Sequence, residues 1–358
     1  MSRTLMIMAG GTGGHIYPAI SVAEYLREQG WHIVWLGSQA GMEARIVPPK
    51  GYDMAWIRFS GLRGKGLLRA LMLPFNLLIA CGQSARAIFT HRPDVVLGMG
   101  GYVAFPGGLM ASLLRRPLVI HEQNSVAGLT NRVLARMADR VLMTFPDAFK
   151  NNKSAAWVGN PTRADISAVA TPELRYAARG GPITVMVLGG SQGAAVLNET
   201  IPKALALMPA SQRPQVTHQS GAAHIESLRA AYAAAGVAAE TLPFIDDMAA
   251  RYAAADLVIC RAGASTVTEI AAVGVASILV PLPWAVDDHQ TTNARYLADR
   301  GAAILIPQAE FTAEKLAQLL QSFARDRLLQ MALAARRAAK PDATRAVGDI
   351  CRGLAHAA

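Results

Sequence analysis

His15 is the residue in this 358-residue chain whose type and position best fit proton transfer. It ends the loop Gly10-Gly11-Thr12-Gly13-Gly14, which follows the apolar run Leu5 to Ala9 and precedes a helical stretch. An imidazole titrates near neutrality and can serve as a general base. Glycines let the backbone turn sharply and approach a ligand, and a helix start offers unpaired N–H groups to an anion. A structural role, in which His15 bonds the loop or a phosphate, stays open.

A second stretch whose residues could bind a ligand runs from Arg261 to Glu269. It follows the predicted strand Leu257 to Cys260. Its small and hydroxyl-bearing residues can begin a helix whose free N–H groups face a phosphate. The Glu269 carboxylate, about one turn inside, could accept hydrogen bonds from a ribose diol. Both ends of a nucleoside diphosphate would then be engaged. The alternative is a capped helix with a solvated glutamate.

Alternating apolar runs and helical segments must position these residues. A second glycine loop, Gly189 to Gly193, follows another apolar run, so the chain should contain two similar halves. Strands alternating with helices predict parallel, doubly wound sheets in an α/β protein. The predicted strands are Leu5–Ala9, His32–Leu36, Asp53–Ile57, Asp94–Leu97, Pro117–Ile120, Arg140–Met143, Ile183–Leu188, Gln215–His218, Leu257–Cys260, Ser277–Val280 and Ala303–Ile306. The last helical segment, after Pro341, could pack on either half.

A dinucleotide-binding dehydrogenase is the first rival interpretation. Its G-x-G-x-x-G/A pattern, started at Gly11, needs a small residue where Ile16 stands. The second strand ends in Gly37-Ser38, without the acidic residue expected for an adenine ribose. Neither glycine loop therefore fits that class.

Composition limits the partners and the compartment. The formal net charge of +10 favours acidic partners, but no lysine-arginine run or aromatic RNA-binding motif indicates nucleic acid. The three cysteines are far apart, so neither a disulfide framework nor a zinc site is predicted. The start Met1-Ser2-Arg3 lacks the features of a signal peptide, so we expect the protein to stay in the cytoplasm. Glycines and prolines interrupt the uncharged stretch Val95 to Leu114, which favours a buried strand and a packed helix over a membrane span.

One helical stretch carries an apolar stripe that could face either a core or a lipid surface. Basic residues border the stripe, which favours contact with an anionic bilayer. The stripe consists of Leu71, Phe75, Leu78 and Ile79, and the basic residues before it are Arg58, Arg63, Lys65 and Arg69.

Eight motifs follow one another in an order and spacing that resemble a known family. They are the loop Gly10 to His15, Leu97 to Tyr102, His121 to Asn124, Gly159 to Arg163, Gly189 to Gly193, Phe244 to Met248, Arg261 to Glu269 and Asp288 to Gln290. Through these motifs, nearly the whole chain resembles the MurG family of N-acetylglucosaminyltransferases, which convert peptidoglycan lipid I into lipid II.

The resemblance implies a GT-B fold, with two Rossmann-like domains facing across a cleft. Residues 1–161, joined by a C-terminal helix within 341–358, would form the acceptor and membrane-facing domain. Residues 162–340 would bind UDP-N-acetylglucosamine. The family's site residues then correspond here to Thr12, Gly13, Gly14 and Asn124 in the first domain, and to Arg163, Ser191, Ile245, Ala264, Ser265, Thr266, Val267, Thr268, Glu269 and Gln290 on the donor side.

Each donor-side residue has an implied partner. Ile245 would meet uracil through its backbone, with Arg163 nearby, and Glu269 would take the ribose. Ser191 and the helix start from Ala264 to Thr268 would take the diphosphate, and Gln290 the sugar. On the sugar side, Trp284 to Val286 departs from the family pattern. Ser265 and Tyr17 also differ from the Leu and Phe of many relatives.

The implied activity is an inverting transfer from UDP-N-acetylglucosamine to the 4-hydroxyl of the muramoyl sugar on lipid I, with His15 as base. We expect no metal and no other cofactor, because Asp246-Asp247 and Asp287-Asp288 form no D-x-D pattern. The implied partners are lipid I, an anionic membrane surface on the cytoplasmic face of the bacterial inner membrane, and proteins of cell-wall synthesis and division. A UDP-sugar epimerase of the same fold and a non-catalytic nucleotide-sugar sensor are the alternatives.

Overall fold

The computed structural model describes residues 2–59, 71–150, 152–190 and 193–357. The chain divides into two compact units, which we call unit 1 (Met1–Arg163 with Lys340–Ala358) and unit 2 (Ala164–Ala339). Arg63, Lys65 and Arg69 of the predicted basic border, and Ser191 of the predicted diphosphate site, lie outside the described residues.

Unit 1 contains a seven-stranded parallel sheet in the order β3-β2-β1-β4-β5-β6-β7. Its strands are β1 Thr4–Ala9, β2 His32–Gly37, β3 Asp53–Trp56, β4 Val95–Gly100, β5 Leu118–Glu122, β6 Arg140–Met143 and β7 Ala156–Trp157. Its helices are α1 Gly13–Arg27, α2 Glu43–Ile46, α3 Leu73–His91, α4 Ala104–Leu113, α5 Leu129–Leu134 and, from the C-terminal segment, α15 Ala343–Ala357, with a 3₁₀ turn at Pro48–Lys50.

Unit 2 contains a six-stranded parallel sheet in the order β10-β9-β8-β11-β12-β13. Its strands are β8 Thr184–Leu188, β9 Gln215–Gln219, β10 Glu240–Leu242, β11 Leu257–Cys260, β12 Ala276–Leu279 and β13 Ala303–Leu305. Its helices are α6 Ala164–Ser167, α7 Pro172–Ala177, α8 Ala195–Ala206, α9 Ile225–Ala234, α10 Met248–Ala254, α11 Ala264–Val273, α12 His289–Ala298, α13 Ala313–Gln321 and α14 Arg325–Ala338. Short 3₁₀ turns occur at Ala210–Gln212, Ala222–His224, Val286–Asp288 and Gln308–Glu310.

The central strands are apolar along their whole length because helices cover both faces of each sheet. Every residue of β1, β4 and β11 is buried, which is the pattern of parallel strands in a doubly wound fold. The predicted α/β class and parallel sheets are therefore confirmed. The stretch from Val95 to Leu114 forms β4 and α4, as predicted, and α15 packs on α1 in unit 1.

The strand order of each sheet reverses at one point, where a ligand crevice is expected beyond the carboxyl ends of the strands. In unit 1 the reversal lies between β1 and β4, and in unit 2 between β8 and β11. The loop Gly10 to His15 follows β1, and the segment Arg261 to Glu269 follows β11. Both stretches that could bind a ligand therefore lie at the reversal points of their sheets.

Candidate active site

The imidazole of His15 belongs to a chain of hydrogen bonds in unit 1. Its Nδ1 lies 2.7 Å from Oε1 of Gln123. Nε2 of Gln123 lies 3.0 Å from Nδ1 of His121, and Nε2 of His121 lies 2.8 Å from the carbonyl oxygen of Gly159. His121 and Gln123 are buried at the end of β5, and burial lowers the pKa of His121 to about 4. His121 thus reaches His15 through Gln123.

The glycines before His15 surround a buried carboxylate that the sequence did not reveal. Glu43 is fully buried, and its side chain accepts hydrogen bonds from Gly11 N at 3.1 Å and Ser38 N at 3.0 Å. A Cβ atom at Gly10 would lie 2.7 Å from Oε1 of Glu43, and one at Gly41 would lie 2.3 Å from it. Gly10 and Gly41 therefore make room for the Glu43 side chain. The Gly11 N–H donates to Glu43.

The N–H groups that remain at this loop belong to the start of α1. His15 N and Ile16 N both donate to the carbonyl of Thr12, at 3.1 and 3.2 Å. Gly13 and Gly14 precede these first helical bonds, so their N–H groups point out of the helix start. The first helical bonds of α1 therefore do not use the N–H groups of Gly13 and Gly14.

Two glycines at the end of β4 lack the side chains that would clash with His15 and with its loop. A Cβ atom at Gly100 would lie 2.9 Å from Nδ1 of His15, and one at Gly101 would lie 2.2 Å from the carbonyl oxygen of Gly10. Both glycines have positive φ, +98° and +81°. The motif from Leu97 to Tyr102 therefore supports the loop that carries His15.

Gly101→Ala should destabilise unit 1 by about 3 to 5 kcal/mol, because a backbone clash adds to the cost of a left-handed conformation. Gly30 is a matched control: it has the same φ of +81° and nothing within 4 Å of an added Cβ. Gly30→Ala should cost only about 1 kcal/mol. Chemical denaturation measures both, and equal losses would show that the contact with Gly10 is unimportant.

Asn124 is held by a buried carboxylate next to it. Oε1 of Glu122 accepts from Asn124 N at 3.0 Å, and Oε2 accepts from Gly128 N at 3.1 Å and Asn131 Nδ2 at 2.8 Å. Glu122 is 2% exposed. The position of Asn124 therefore depends on Glu122. His121 is instead hydrogen-bonded to Gln123, which contacts His15.

In unit 2, the start of α11 offers donors to an anion. The first helical bond runs from Val267 N to the Gly263 carbonyl at 2.9 Å, so the N–H groups of Ala264, Ser265 and Thr266 precede it. The Val267 side chain is fully buried. Its N–H is used within the helix.

The hydroxyl groups near this helix start are less available than the sequence indicates. Thr268 Oγ1 donates to the carbonyl groups of Ala264 at 2.9 Å and Ser265 at 3.0 Å. The Ser265 hydroxyl oxygen is buried and has no hydrogen-bond partner among the described residues. The Thr268 hydroxyl is therefore used within the helix, whereas the Ser265 hydroxyl is buried without a bond there.

Glu269 is positioned by a tyrosine from the preceding helix. The hydroxyl of Tyr252, a fully buried residue of α10, donates to Oε2 of Glu269 at 3.2 Å. Arg175 joins the ends of the two helices, because its guanidinium donates to the carbonyl groups of Ala253 at 3.4 Å and Val273 at 3.1 Å. Burial lowers the pKa of Arg175 to about 10, which leaves it charged at neutral pH.

Gln290 presents its amide nitrogen rather than its oxygen. Oε1 accepts hydrogen bonds from Ala262 N at 3.3 Å and Leu282 N at 3.0 Å. The side chain thus ties the loop after β11 to the loop after β12, and the –NH₂ group faces away from these backbone donors. Because its oxygen is used, Gln290 can contact a ligand only as a donor, through the –NH₂ group.

The other predicted donor-side residues lie at unit boundaries or strand ends. Ile245 follows β10 and its side chain is 4% exposed, and Arg163 is the last residue of the first segment of unit 1. Within the described ranges, no group of three or more His, Cys, Asp or Glu side chains could hold a metal ion.

The apolar stripe, which consists of Leu71 just before α3 and three residues of α3, faces solvent and not the core. Leu71, Phe75, Leu78 and Ile79 are 73%, 64%, 70% and 52% exposed, whereas Ala80, Ser84 and Ile88 form the buried face of the helix. Leu113, at the end of the neighbouring helix α4, is also 65% exposed and was not predicted. The described part of the chain has no helix with the length and apolarity to cross a bilayer.

Comparisons with known proteins identify the class. Residues 5–143 match the glycosyltransferase family 28 N-terminal domain, and residues 184–347 match the glycosyltransferase family 28 C-terminal domain. The solved structure of the kitacinnamycin glycosyltransferase has a TM-score of 0.70 and covers 99% of each chain, but at 17% identity it shows only the fold. The chain is a glycosyltransferase with the two domains of family 28.

Relatives at higher identity narrow the assignment. A protein of Aromatoleum aromaticum named UDP-N-acetylglucosamine–N-acetylmuramyl-(pentapeptide) pyrophosphoryl-undecaprenol N-acetylglucosamine transferase is 64% identical, covering 99% of this chain and 98% of its own length. The crystal structure of Acinetobacter baumannii MurG is 41% identical, with a TM-score of 0.86 and coverage of 98% and 99%. The chain belongs to the MurG family, and the predicted resemblance is confirmed.

Proposed function

We propose that this chain transfers N-acetylglucosamine from UDP-N-acetylglucosamine to the 4-hydroxyl of the muramoyl sugar in lipid I, forming lipid II. The observation that carries the donor side is in α11, where free N–H groups at Ala264 to Thr266 and the Glu269 carboxylate share one helix. At about 1.5 Å rise per residue they are roughly 5 to 8 Å apart along the axis, a separation suited to a diphosphate and its ribose.

We assign donor binding to residues of unit 2, together with Arg163 of unit 1. Backbone N–H groups of α11, with Ser191, would bind the diphosphate, Glu269 the ribose diol, and the Gln290 amide group a sugar oxygen. Ile245 would meet uracil, with Arg163 nearby. As the sugar leaves, negative charge grows on UDP, and the helix start stabilises that charge.

We assign binding and deprotonation of the acceptor to residues of unit 1. His15 takes the proton of the 4-hydroxyl while that oxygen attacks C1 of N-acetylglucosamine and the bond from C1 to the phosphate oxygen breaks. Attack opposite the leaving group inverts the configuration at C1. Thr12, Gly13, Gly14 and Asn124 would position the acceptor beside His15.

Acceptor dependence tests this proposal against its alternatives. UDP release from UDP-N-acetylglucosamine should require lipid I, and a short-chain lipid I should suffice. An epimerase of the same fold would process the donor without an acceptor, and a nucleotide-sugar sensor would bind the donor without turnover. Release of UDP at the same rate with and without lipid I would contradict the proposal.

We further propose that the exposed face of α3 contacts the cytoplasmic surface of the bacterial inner membrane, where lipid I would be presented. The support is the exposure of Leu71, Phe75, Leu78 and Ile79 together with the net charge of +10. An apolar helix face with a basic border binds anionic lipid surfaces. Proteins of cell-wall synthesis and division are further partners to be tested on the same membrane.

Phe75→Glu with Ile79→Glu should abolish sedimentation with phosphatidylglycerol vesicles and leave the thermal transition and UDP binding unchanged, because both side chains are already exposed. Binding of the unchanged protein should weaken as salt rises, since each basic residue near the surface contributes about 1 kcal/mol and is screened. Leu174→Glu with Leu207→Glu, at exposed apolar positions of unit 2, is the matched control and should still sediment. Equal vesicle binding by both double variants would contradict this membrane face.

A further inference from the structure

The hydrogen bonds that reach His15 have only one consistent direction when the buried histidine is neutral. The Gly159 carbonyl can only accept, so Nε2 of His121, at 2.8 Å, must carry the proton. A neutral imidazole has a single N–H, which leaves Nδ1 of His121 as an acceptor. Burial of His121 favours the neutral form and lowers its pKa to about 4, so this condition holds near neutral pH.

The orientation of the Gln123 amide follows from the state of His121. Its –NH₂ group must face the bare Nδ1 of His121, at 3.0 Å, and it also donates to the His121 carbonyl at 3.2 Å. Oε1 then faces His15, and an oxygen 2.7 Å from Nδ1 can only accept. The opposite amide orientation would set the amide oxygen against two acceptors, Nδ1 and the carbonyl oxygen of His121, so the His121 end fixes the orientation.

We propose that His121 and Gln123 are positioning residues that hold neutral His15 in the tautomer with its proton on Nδ1 and its lone pair on Nε2. This inference rests on the proposed function, in which His15 is the base. The bare Nε2 can then take the proton of the acceptor hydroxyl, while the Nδ1–H bond to Gln123 keeps the ring in place. A histidine in the other tautomer would present an N–H to the acceptor and could not accept its proton.

The surroundings of the ring support a fixed orientation. Gly100 leaves room where a Cβ would lie 2.9 Å from Nδ1 and Cε1 of His15, and Gln123 is 1% exposed, so water does not compete for its oxygen. Two nearby carboxylates, Glu43 and Glu122, accept hydrogen bonds from backbone N–H groups: Glu43 from Gly11 N and Ser38 N, and Glu122 from Asn124 N.

The tautomer itself can be measured without activity. Nitrogen-15 NMR of the full-length protein with labelled histidine should show Nδ1 of His15 at a pyrrole-type position and Nε2 at a pyridine-type position. The His15→Ala variant identifies the signals. A proton on Nε2 in the neutral form would overturn the inference and leave the assignment of His15 as base to be judged by kinetics.

Kinetics then separates positioning from simple structural support. Gln123→Met keeps the side-chain length without a hydrogen-bonding group, and should lower kcat by about a hundredfold through lost orientation while the Kd of UDP stays unchanged. His121→Phe should cause a similar loss, because nothing then fixes the amide. Gln83→Met, an α3 glutamine whose oxygen accepts from Arg58 N, is the control and should keep normal kcat.

A double variant provides the rescue test. A carboxylate at position 123 accepts from Nδ1–H in either orientation, so Gln123→Glu combined with His121→Phe should recover at least tenfold of the kcat lost in His121→Phe. Its negative charge should also move the acid limb of the pH profile of kcat/KM to higher pH.

The outcomes distinguish this inference from the proposed function. Absence of rescue, or kcat within threefold of normal in Gln123→Met, would overturn the inference while leaving His15 as base. Near-normal turnover in His15→Ala would overturn the base assignment itself. If a substitution at His121 prevents folding, as judged by the thermal transition, Gln123→Met and the NMR measurement decide.

Discussion

His15→Ala should lower turnover about a hundred- to ten-thousand-fold, because general-base assistance typically contributes that much. Affinity for UDP-N-acetylglucosamine should change little, since His15 lies in unit 1 and the residues assigned to the donor, except Arg163, lie in unit 2. Steady-state rates with lipid I and calorimetry with the donor measure the two effects separately.

The control for this variant is His32→Ala. His32 is an exposed histidine whose Nε2 lies 2.8 Å from Oδ2 of Asp53 at the edge of the same sheet, and its loss should leave turnover near normal. Near-normal turnover in His15→Ala would place the base elsewhere and leave the loop with positioning alone.

Glu269→Ala should weaken UDP binding about ten- to a hundredfold and 2′-deoxy-UDP binding much less. The lost interaction is a charge-assisted hydrogen bond to the ribose diol, worth roughly 1.5 to 3 kcal/mol. Tyr252→Phe should cause a smaller loss of the same kind, because it removes the 3.2 Å hydrogen bond that orients the carboxylate. Calorimetric titration with both nucleotides provides the comparison.

Glu226→Ala is the matched control for the donor side. Glu226 is a helical glutamate of unit 2 that pairs with Arg229 at 2.9 Å on the surface, and its removal should leave UDP affinity unchanged. Equal losses of UDP and 2′-deoxy-UDP affinity in Glu269→Ala would show that the carboxylate does not bind the ribose.

The sequence predicted all the interior strands and the edge strands β3 and β13, and it missed the edge strands β7 and β10. β1 and β11 are continuous apolar runs, so their pattern is clear, and β6 and β11 have the predicted bounds. β7 has two exposed residues, Ala156 and Trp157, and β10 is a three-residue edge strand with a polar first residue, Glu240. Short, exposed edge strands carry too few buried positions to produce a recognisable period.

The supporting side chains of the site were missed for a different reason. Glu43 reaches the loop at Gly11 from 32 residues away, and a single glutamate in a polar stretch has no signature in one sequence. Gln123 stands in a motif that the sequence did flag, but its contact with His15 spans 108 residues and depends on how β1 and β5 are ordered in the sheet.

Local patterns located the helix start of α11, and the structure refines what each residue there can do. Val267 and Thr268 were predicted to contact the donor, but the Val267 N–H and the Thr268 hydroxyl both donate within the helix. The first hydrogen bond of a helix decides which of its N–H groups have no helical partner. A sequence predicts the position of that bond only to within a residue or two. The roles of the five residues from Ala264 to Thr268 stay predictions.

The structure of the disaccharide product tests the central claim most directly. The purified chain would be incubated with UDP-N-acetylglucosamine and a short-chain lipid I, and the product would be analysed by mass spectrometry and proton NMR. We predict the addition of one N-acetylglucosamine in a β linkage to the 4-hydroxyl of the muramoyl sugar. An α linkage, a different acceptor hydroxyl or donor turnover without a disaccharide product would contradict the account.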